Sequence, residues 1–288
     1  MQVFDPKKMH VKDFHQVLLG SVAPRPIAFA STLDEAGTPN LAPYSFFNAF
    51  GSNPATVIIS PARRGRDNTT KHTYENLKKN KEVVINIVNY EIVQQMVLAS
   101  TEYADGVNEF EKSGLTATPS VQVAPPRVKE APVQLECKLR DIINYGELPG
   151  AGNMMICEVV LVHVNEAILG SDGIIDPYKL DPVGRLGKLW YTRAKEGLFE
   201  IPNPSSKDNI SFEKLPEAIK HSTVLTGNDL AKLAKQPDFP THESIAEFKA
   251  KTPKLATLSA AEVHQEAKAA LDKESVEHAW KLLLAHHG

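Results

Sequence analysis

The sequence of 288 residues predicts a mainly β protein: a closed or nearly closed barrel of short antiparallel strands with short helices, followed by a helical C-terminal extension. Strand and turn signals alternate from residue 25 to about residue 176. Residues 133–145 and 153–165 alternate polar with apolar side chains, which is typical of strands with one face in water. The composition then changes. We therefore expect the barrel domain at residues 1–197 and the extension at residues 198–288.

The first hairpin is predicted within residues 25–50. Residues 25–31 contain enough β-branched and aromatic side chains for a strand, and the sequence Asp-Glu-Ala-Gly at 34–37 favours a turn. Residues 40–50 predict the returning strand. Within it, Pro43 requires an irregularity or an edge position, because proline cannot donate a hydrogen bond to the sheet.

The rest of the barrel is predicted to alternate short strands with short helices. Strands are expected at residues 54–60 and 82–88, helices at 73–80, 91–100 and 107–113, a proline-rich irregular stretch at 119–132, and a last hairpin at 168–175.

The extension is predicted to be helical after a linker rich in proline and serine. The linker is residues 201–206, and the helices are residues 212–221, 229–236, 244–251 and 259–286. Residues 259–262, Ser-Ala-Ala-Glu, form a capping-box pattern. Trp280, Leu283 and Leu284 give the last helix an apolar stripe, which we expect to pack on the barrel or on a partner subunit.

Composition and charge exclude several classes of protein. A net charge of -3 gives no general attraction to nucleic acid or to anionic membranes. Apolar stretches are too short to span a bilayer, and the N-terminus lacks the apolar core of a signal peptide, so we expect a cytoplasmic protein. Cys137 and Cys157 allow one disulfide, but two buried free thiols suit a reducing cytoplasm better.

Several motifs of known chemistry are absent from the sequence. It has no GxGxxG after a strand and no Walker phosphate loop, which argues against a dedicated dinucleotide or P-loop domain. It has no HExxH, CxxC or Cys/His cluster for a metal, and no GxSxG elbow for a hydrolase.

A cationic loop, residues 63–73, is the sharpest local signal. Three arginines, one lysine and three threonines precede the predicted helix. A phosphate group needs converging cations and hydroxyl or backbone donors, and a helix N-terminus adds favourable partial charge. The pattern therefore predicts a phosphate site, with a solvated basic loop as the alternative.

The order of these segments resembles the flavin reductase-like family of FMN-binding split barrels. The resemblance rests on the strand, basic loop, helix and strand of residues 54–88, and on the preceding Ala-Pro-Tyr-Ser-Phe-Phe-Asn at residues 42–48. It runs from about residue 11 to residue 193 and is strongest over residues 24–88. It implies an FMN-binding split β-barrel.

The resemblance also implies which residues hold the flavin phosphate. Residues 71–76 are similar to the family's lysine–x–threonine–aromatic–x–asparagine segment, whose lysine and threonine contact the phosphate. Lys71 and Thr73 inherit these roles. The neighbouring candidates for the same site are Ser60, Arg66, Asn68 and Thr69.

The flavin ring is expected along residues 42–50, a segment that in related proteins supplies mostly backbone hydrogen bonds. A flat aromatic ring with a polar edge suits a site with apolar walls and a few converging donors. Ser45 and Asn48 are the first candidates for polar contacts with the ring, followed by Tyr44 and Phe46. Ordinary barrel core is the alternative for the aromatic side chains.

Two further candidates lie at the ends of the barrel domain. Arg25 belongs to the arginine–proline pair that opens the family's barrel near the ligand, with a surface arginine as the alternative. Tyr191 ends a segment, residues 186–191, that resembles the family's late glycine–x–x–tyrosine element; plain packing is the alternative for Trp190 and Tyr191.

The function implied by the resemblance is that of a flavoprotein oxidoreductase. It would bind FMN in preference to FAD, take hydride from NAD(P)H as a transient co-substrate, and pass electrons to an acceptor or a partner oxygenase. Because the flavin itself carries this chemistry, no catalytic side chain is assigned. Members of the family are commonly homodimers, and a homodimer is expected here.

Two other functions are compatible with the same barrel. One is a flavin-binding protein without turnover, used for storage, sensing or assembly. The other is an oxidase of a phosphorylated vitamin-like substrate, which requires a second anion site that the sequence does not reveal.

Overall fold

The computed structural model of the protein describes residues 1–204 and 209–287. Its main feature is a seven-stranded antiparallel sheet. The chain divides into two units, Met1–Leu198 and Phe199–Gly288. The strands, all in the first unit, are β1 (Ala28–Leu33), β2 (Pro39–Tyr44), β3 (Phe47–Ser52), β4 (Ala55–Ile59), β5 (Glu82–Ile87), β6 (Ala117–Thr118), β7 (Arg127–Val128), β8 (Val133–Tyr145), β9 (Gly152–Val164), β10 (Val183–Arg185) and β11 (Tyr191–Arg193).

The order of strands in the large sheet is β2-β1-β5-β8-β9-β4-β3, and the pairs β6–β7 and β10–β11 form two small sheets. The predicted first turn is confirmed: the Asp34 backbone N donates to Thr38 O (3.0 Å), and Gly37 has a φ of +83°, which glycine adopts without strain. The two long strands are confirmed as well, since β8 and β9 pair along their length.

The prediction of a single strand over residues 40–50 is wrong. The segment forms β2 and β3, which lie at opposite edges of the sheet. Its direction changes at Ser45 and Phe46, and β3 then pairs with β4. Pro43 is tolerated because β2 is an edge strand, where a missing N–H leaves no neighbour unpaired.

Five helices belong to the first unit, as far as it is described. They are α1 (Val11–Ser21), α2 (His72–Asn80), α3 (Val93–Ala99), α4 (Glu109–Ser113) and α5 (Pro177–Leu180). The predicted helices over 73–80, 91–100 and 107–113 are confirmed with shifted ends. The predicted last hairpin is reduced to one bridge between Leu169 and Ile175, because a 3-10 helix occupies residues 166–168.

Two apolar clusters fill the first unit, and β1 contributes to both. Phe29 packs with Leu41, Met96 and Phe110 in one cluster, whereas Ala28 belongs to the other. The second cluster contains α2 residues together with residues of β4, β5, β8 and β9. β1 is buried on both faces, and its first three residues, 28–30, are apolar in succession, while Ser31 and Thr32 are buried polar residues.

The second unit contains helices and no strand within its described residues, 199–204 and 209–287. Its helices are α6 (Glu217–Lys220), α7 (Gly227–Ala234), α8 (His242–Lys251), α9 (Ala260–Asp272) and α10 (Val276–His287). The capping box at the start of α9 is confirmed. Residues 205 and 206 of the predicted linker lie outside the described residues.

Three predictions about this unit are wrong. The helix expected over 212–221 is the single turn α6, which starts after Pro216. The helix expected over 259–286 is divided into α9 and α10, because the backbone turns at Glu274 (φ +56°) and Ser275 N donates to Ala270 O. The stripe containing Trp280 packs in the unit's own core, where the indole Nε1 donates to Leu233 O (3.2 Å).

The protein is therefore a mixed one, with a large antiparallel sheet and several helices. The predicted class, mainly β, fits the large sheet but not the whole chain. Within the described residues, no helix has the length and apolar character needed to cross a bilayer.

Candidate functional site

The cationic loop connects β4 to α2, and two of its residues fix its shape. Arg63 donates through Nε to Asn68 Oδ1 (2.7 Å) and through Nη2 to Asn68 O (2.5 Å). Asn68 has a φ of +59° and donates through Nδ2 to Glu147 O (2.9 Å) in the β8–β9 turn. Asparagine tolerates this left-handed conformation better than most residues. The Asn68 side chain therefore holds the loop against the turn between the two long strands.

Three cations of the loop converge on one carboxylate, that of Glu102. Lys71 Nζ lies 3.0 Å from Glu102 Oε1, Arg64 Nε lies 3.5 Å from the same oxygen, and Arg66 Nη1 lies 3.6 Å from Oε2. The Lys71 ammonium and the two guanidinium groups hold the pKa of Glu102 below its usual range. Arg64, Arg66 and Lys71 around Glu102 form the cation cluster at the start of α2.

The N-terminus of α2 adds backbone donors to the cation cluster. The N-cap residue is Lys71, whose side chain makes no capping bond. The first backbone N–H groups of a helix have no partner within the helix, and they carry a partial positive charge. Cations and helix N–H groups together provide the donor set that a phosphate monoester requires.

Two hydroxyl groups of the loop, those of Thr69 and Thr70, donate to nearby carboxylates. Thr69 donates through Oγ1 to Asp67 Oδ1 (2.6 Å) and through its backbone N to the same oxygen (3.0 Å). These bonds hold the pKa of Asp67 well below its usual range. Thr70 Oγ1 donates to Glu75 Oε1 (2.5 Å). The hydroxyl groups of Thr69 and Thr70 are thus occupied inside the protein, whereas the three cations pair with the half-exposed Glu102.

Thr73 lies inside a buried hydrogen-bond network. Tyr44 Oη donates to Thr73 Oγ1 (2.9 Å), which donates to Asn40 Oδ1 (2.8 Å). Asn40 Nδ2 and Leu41 N donate to the two oxygens of Glu109 (2.9 Å each). The network joins β2, α2 and α4. The Thr73 hydroxyl, predicted to contact phosphate, is occupied here by other side chains, and its phosphate contact stays a prediction.

Burial governs the ionisation of this network. Removal from water raises the pKa of Tyr44 to about 12, against the opposing effect of the Thr73 hydrogen bond. Burial also raises the pKa of Glu109, although the Leu41 N–H and the Asn40 amide favour its charged form. The Tyr44 hydroxyl therefore stays protonated at neutral pH and remains a donor to Thr73, which joins β2 to α2.

Arg25 is buried, so its interpretation as a surface arginine is wrong. Its guanidinium donates to the backbone oxygens of Leu19 (2.6 Å), Val22 and Leu186 (3.0 Å), and more weakly through Nε to Ser45 Oγ (3.4 Å). Burial, and then the charge of a neighbouring arginine, lower its pKa. Arg25 thus ties α1 and the segment after β10 to the bend that follows β2.

Tyr191 lies near Arg25 through the small sheet β10–β11. Arg25 forms a bridge with Arg185, which is paired with Tyr191 and lies over its ring at 4.5 Å from the centroid. The neighbouring Trp190 is 71% exposed, so plain packing within the chain does not account for its side chain.

Of the remaining candidates, Phe46 and Ser60 lie together, and Asn48 lies on the edge strand β3. Phe46 O accepts a hydrogen bond from Ser60 N (2.9 Å), so the bend after β2 lies beside the end of β4. Asn48 is exposed on the edge strand β3, and its Oδ1 accepts from the neighbouring Ala49 N (2.8 Å). Among the described residues, Asn48 makes no side-chain hydrogen bond to another candidate.

The structure therefore gathers the predicted residues around the bend after β2 and around the loop before α2. The Tyr44–Thr73 hydrogen bond links the two groups. Sequence reasoning missed Glu102 and Glu109 as parts of the site. Each is a single glutamate outside any motif, and only the fold brings it to the loop or to β2.

Comparison with known proteins gives consistent results. A family model described as "Flavin reductase like domain" matches residues 19–191. A protein of Aquifex aeolicus (strain VF5) is 38% identical over 180 residues, covering 62% of this chain and 89% of that protein.

Two solved structures are similar along most of their length. Nitrilotriacetate monooxygenase component B from Bacillus cereus is 31% identical with a TM-score of 0.64, covering 70% of this chain and 98% of that one. The 2-nitrobenzoate 2-nitroreductase NbaA of Pseudomonas fluorescens is 28% identical with a TM-score of 0.62, covering 70% and 96%. The family match spans more than half of the chain, and this protein therefore belongs to the flavin reductase-like family.

Proposed function

We propose that this protein is an FMN-dependent oxidoreductase that takes hydride from NADH or NADPH and passes electrons to an acceptor or to a partner oxygenase. The observation that carries the proposal is the cation cluster at the N-terminus of α2, beside the bend after β2, in a chain of the flavin reductase-like family. Family membership indicates a flavin cofactor and a flavin-related oxidoreductase activity. The finer choices, FMN and a nicotinamide donor, belong to the proposal.

The residues present fit the phosphate end of FMN. Lys71, Arg64 and Arg66 would hold the phosphate, because charge-assisted contacts from several cations suit a group with about two negative charges at neutral pH. Thr73 would act mainly through Tyr44, by fixing β2 against α2. Asn68 and Thr69 would keep the loop in shape.

The ring end would lie along the bend between β2 and β3. Ser45 and Phe46 would supply hydrogen-bonding and apolar surface there, Ser60 would complete the wall beside Phe46, and Arg25 would hold the bend in place. Asn48 and Tyr191 are proposed at the rim of the site. When bound, the flavin would supply the hydride-accepting ring, so these side chains bind, orient and exclude water without acting as an acid or base.

The wider organisation is proposed on the same grounds. Residues 1–197 would be an FMN-binding split barrel in the cytoplasm, and residues 198–288 a helical extension. A homodimer is supported by the exposed edge strand β3, where Phe50 is 64% exposed, and by Tyr145, which is 81% exposed at the end of β8.

Two of the similar structures support electron transfer beyond the flavin. One is named as a component of a monooxygenase, and the other as a nitroreductase. Both names fit a protein that delivers reducing equivalents to a second reaction, which is the role proposed here.

The test is steady-state oxidation of NADH and of NADPH by the full chain with added FMN. The proposal predicts turnover that requires FMN and saturates with one of the two nicotinamides. Tight FMN binding without turnover would favour the non-catalytic flavin-binding protein, and failure to bind any flavin would reject both.

A further inference from the structure

The carboxylate of Glu102 lies among the three cations of the cation cluster. Two of the three contacts reach Oε1, from Lys71 at 3.0 Å and Arg64 at 3.5 Å, and the third reaches Oε2 from Arg66 at 3.6 Å. A single carboxylate thus receives three cations from one loop of eight residues, 64–71. The same three cations are those proposed for the flavin phosphate.

The charges in this cluster are better matched by a phosphate than by Glu102. Three cations face one carboxylate, with Asp67 taking part of the charge of Arg66 (3.1 Å). A phosphate monoester brings about two negative charges and three oxygen acceptors at neutral pH. A phosphate and the Glu102 carboxylate would need the same donor atoms and would repel each other, so the two anions compete for these cations.

Glu102 is free to withdraw from the cluster. It lies in the irregular segment between α3 and α4, and its side chain is 50% exposed. An exposed glutamate reaches solvent by side-chain rotation alone, and an exposed ion pair of this kind stabilises a protein only weakly.

We propose that Glu102 is an internal competitor for the flavin phosphate, an inference that rests on the proposed function. In the absence of flavin it holds Arg64, Arg66 and Lys71 together. When a phosphate-bearing flavin binds, the carboxylate leaves the cations to the phosphate. Glu102 thereby weakens FMN binding and keeps FMN exchangeable, which suits a protein that hands flavin or electrons to a partner. It does not affect a flavin that lacks phosphate.

The test compares Glu102→Gln with wild type in fluorescence titrations with FMN and with riboflavin. The matched control is Glu91→Gln, which removes the same charge from another exposed glutamate of the neighbouring segment. Because Glu102→Gln removes the competing carboxylate and its three exposed charge contacts, we expect this variant to bind FMN about tenfold more tightly than wild type. Riboflavin affinity should not change, and Glu91→Gln should bind FMN as wild type does. The rate of FMN release, measured by dilution, should fall in parallel.

The outcomes separate this inference from the proposed function. In one outcome, wild type binds FMN more tightly than riboflavin, and Glu102→Gln has the same affinities for both flavins as wild type. This result supports the phosphate site and overturns the role of Glu102. Weaker FMN binding in Glu102→Gln also overturns it, because the carboxylate would then support the site. Equal gains for FMN and riboflavin contradict competition with phosphate. A wild type that binds no flavin overturns both proposals.

Discussion

Replacing Thr73 by valine distinguishes a structural role of this residue from direct contact with the phosphate. The side chain has no exposed surface, and its hydroxyl both accepts from Tyr44 Oη and donates to Asn40 Oδ1. Valine has nearly the same shape, so the change removes two hydrogen bonds without opening a cavity. Each such bond contributes about 0.5–1.5 kcal/mol, and its partner is left unpaired in the core.

We therefore expect Thr73→Val to lower the free energy of unfolding of the flavin-free protein by about 2 kcal/mol. Tyr44→Phe removes only one of the two bonds and should lower it by about 1 kcal/mol. The double variant should lose about 1 kcal/mol less than the sum of the two, because both changes remove the same hydrogen bond. Urea denaturation followed by circular dichroism, with FMN titrations on each folded variant, measures these quantities.

Two results would contradict a structural role for Thr73. If Thr73→Val unfolds within about 0.5 kcal/mol of wild type, the network does not stabilise the fold. If the same variant binds FMN more than about tenfold more weakly, a loss of about 1.4 kcal/mol, the hydroxyl contacts the phosphate, as the resemblance implies.

Three further predictions follow from contacts of the first unit. Lys71→Met removes an ammonium from the cation cluster, and FMN should bind about five- to thirtyfold more weakly while riboflavin binding is unchanged, as titrations of both flavins will measure. Arg25→Ala leaves three backbone oxygens without their donor, and the free energy of unfolding should fall by about 3 kcal/mol in urea denaturation. Cys137 and Cys157 are fully buried, and burial raises both thiol pKa values, that of Cys157 to about 12. Neither should react with Ellman's reagent until the protein is unfolded in guanidinium.

Each of these predictions has a control and a contrary result. Lys78→Met makes the same charge change at an exposed position of α2 and should bind FMN as wild type does; equal losses in both variants would point to a general effect of charge. Arg140→Ala removes an exposed ion pair with Glu158 and should shift stability by at most about 1 kcal/mol. If Arg25→Ala and Arg140→Ala lower the free energy of unfolding by the same amount, the buried contacts of Arg25 do not stabilise the fold more than an exposed ion pair does. Rapid labelling of the native protein would contradict the burial of the thiols.

The fold was predictable where a local pattern determines the structure. The long alternating segments became β8 and β9, the short amphipathic segment after the cationic loop became α2, and the capping box started α9. The predictions were wrong where contacts between residues far apart in the sequence determine the structure. Nothing in residues 40–50 alone indicates that β2 and β3 pair at opposite edges of a sheet, and Glu274 is an ordinary residue that adopts a left-handed conformation between two packed helices.

The candidate site shows the same division. The loop's cations were visible as a run of charge in the sequence. The roles of its hydroxyl groups were not, because Asp67 and Asn40 hold Thr69 and Thr73 in the folded chain. Glu102 follows Lys71 by 31 positions, and no pattern marks it as the partner of the cations. Only the packing of the first unit brings that carboxylate to the loop.

Binding of FMN and of riboflavin to the wild-type chain, measured side by side, shows whether the loop before α2 holds the flavin phosphate. With the phosphate on three cations, FMN should bind in a one-to-one ratio and at least about tenfold more tightly than riboflavin, with an advantage that shrinks as salt is raised. Equal affinity for the two flavins at low salt, or no binding of either, would contradict a phosphate site in this loop.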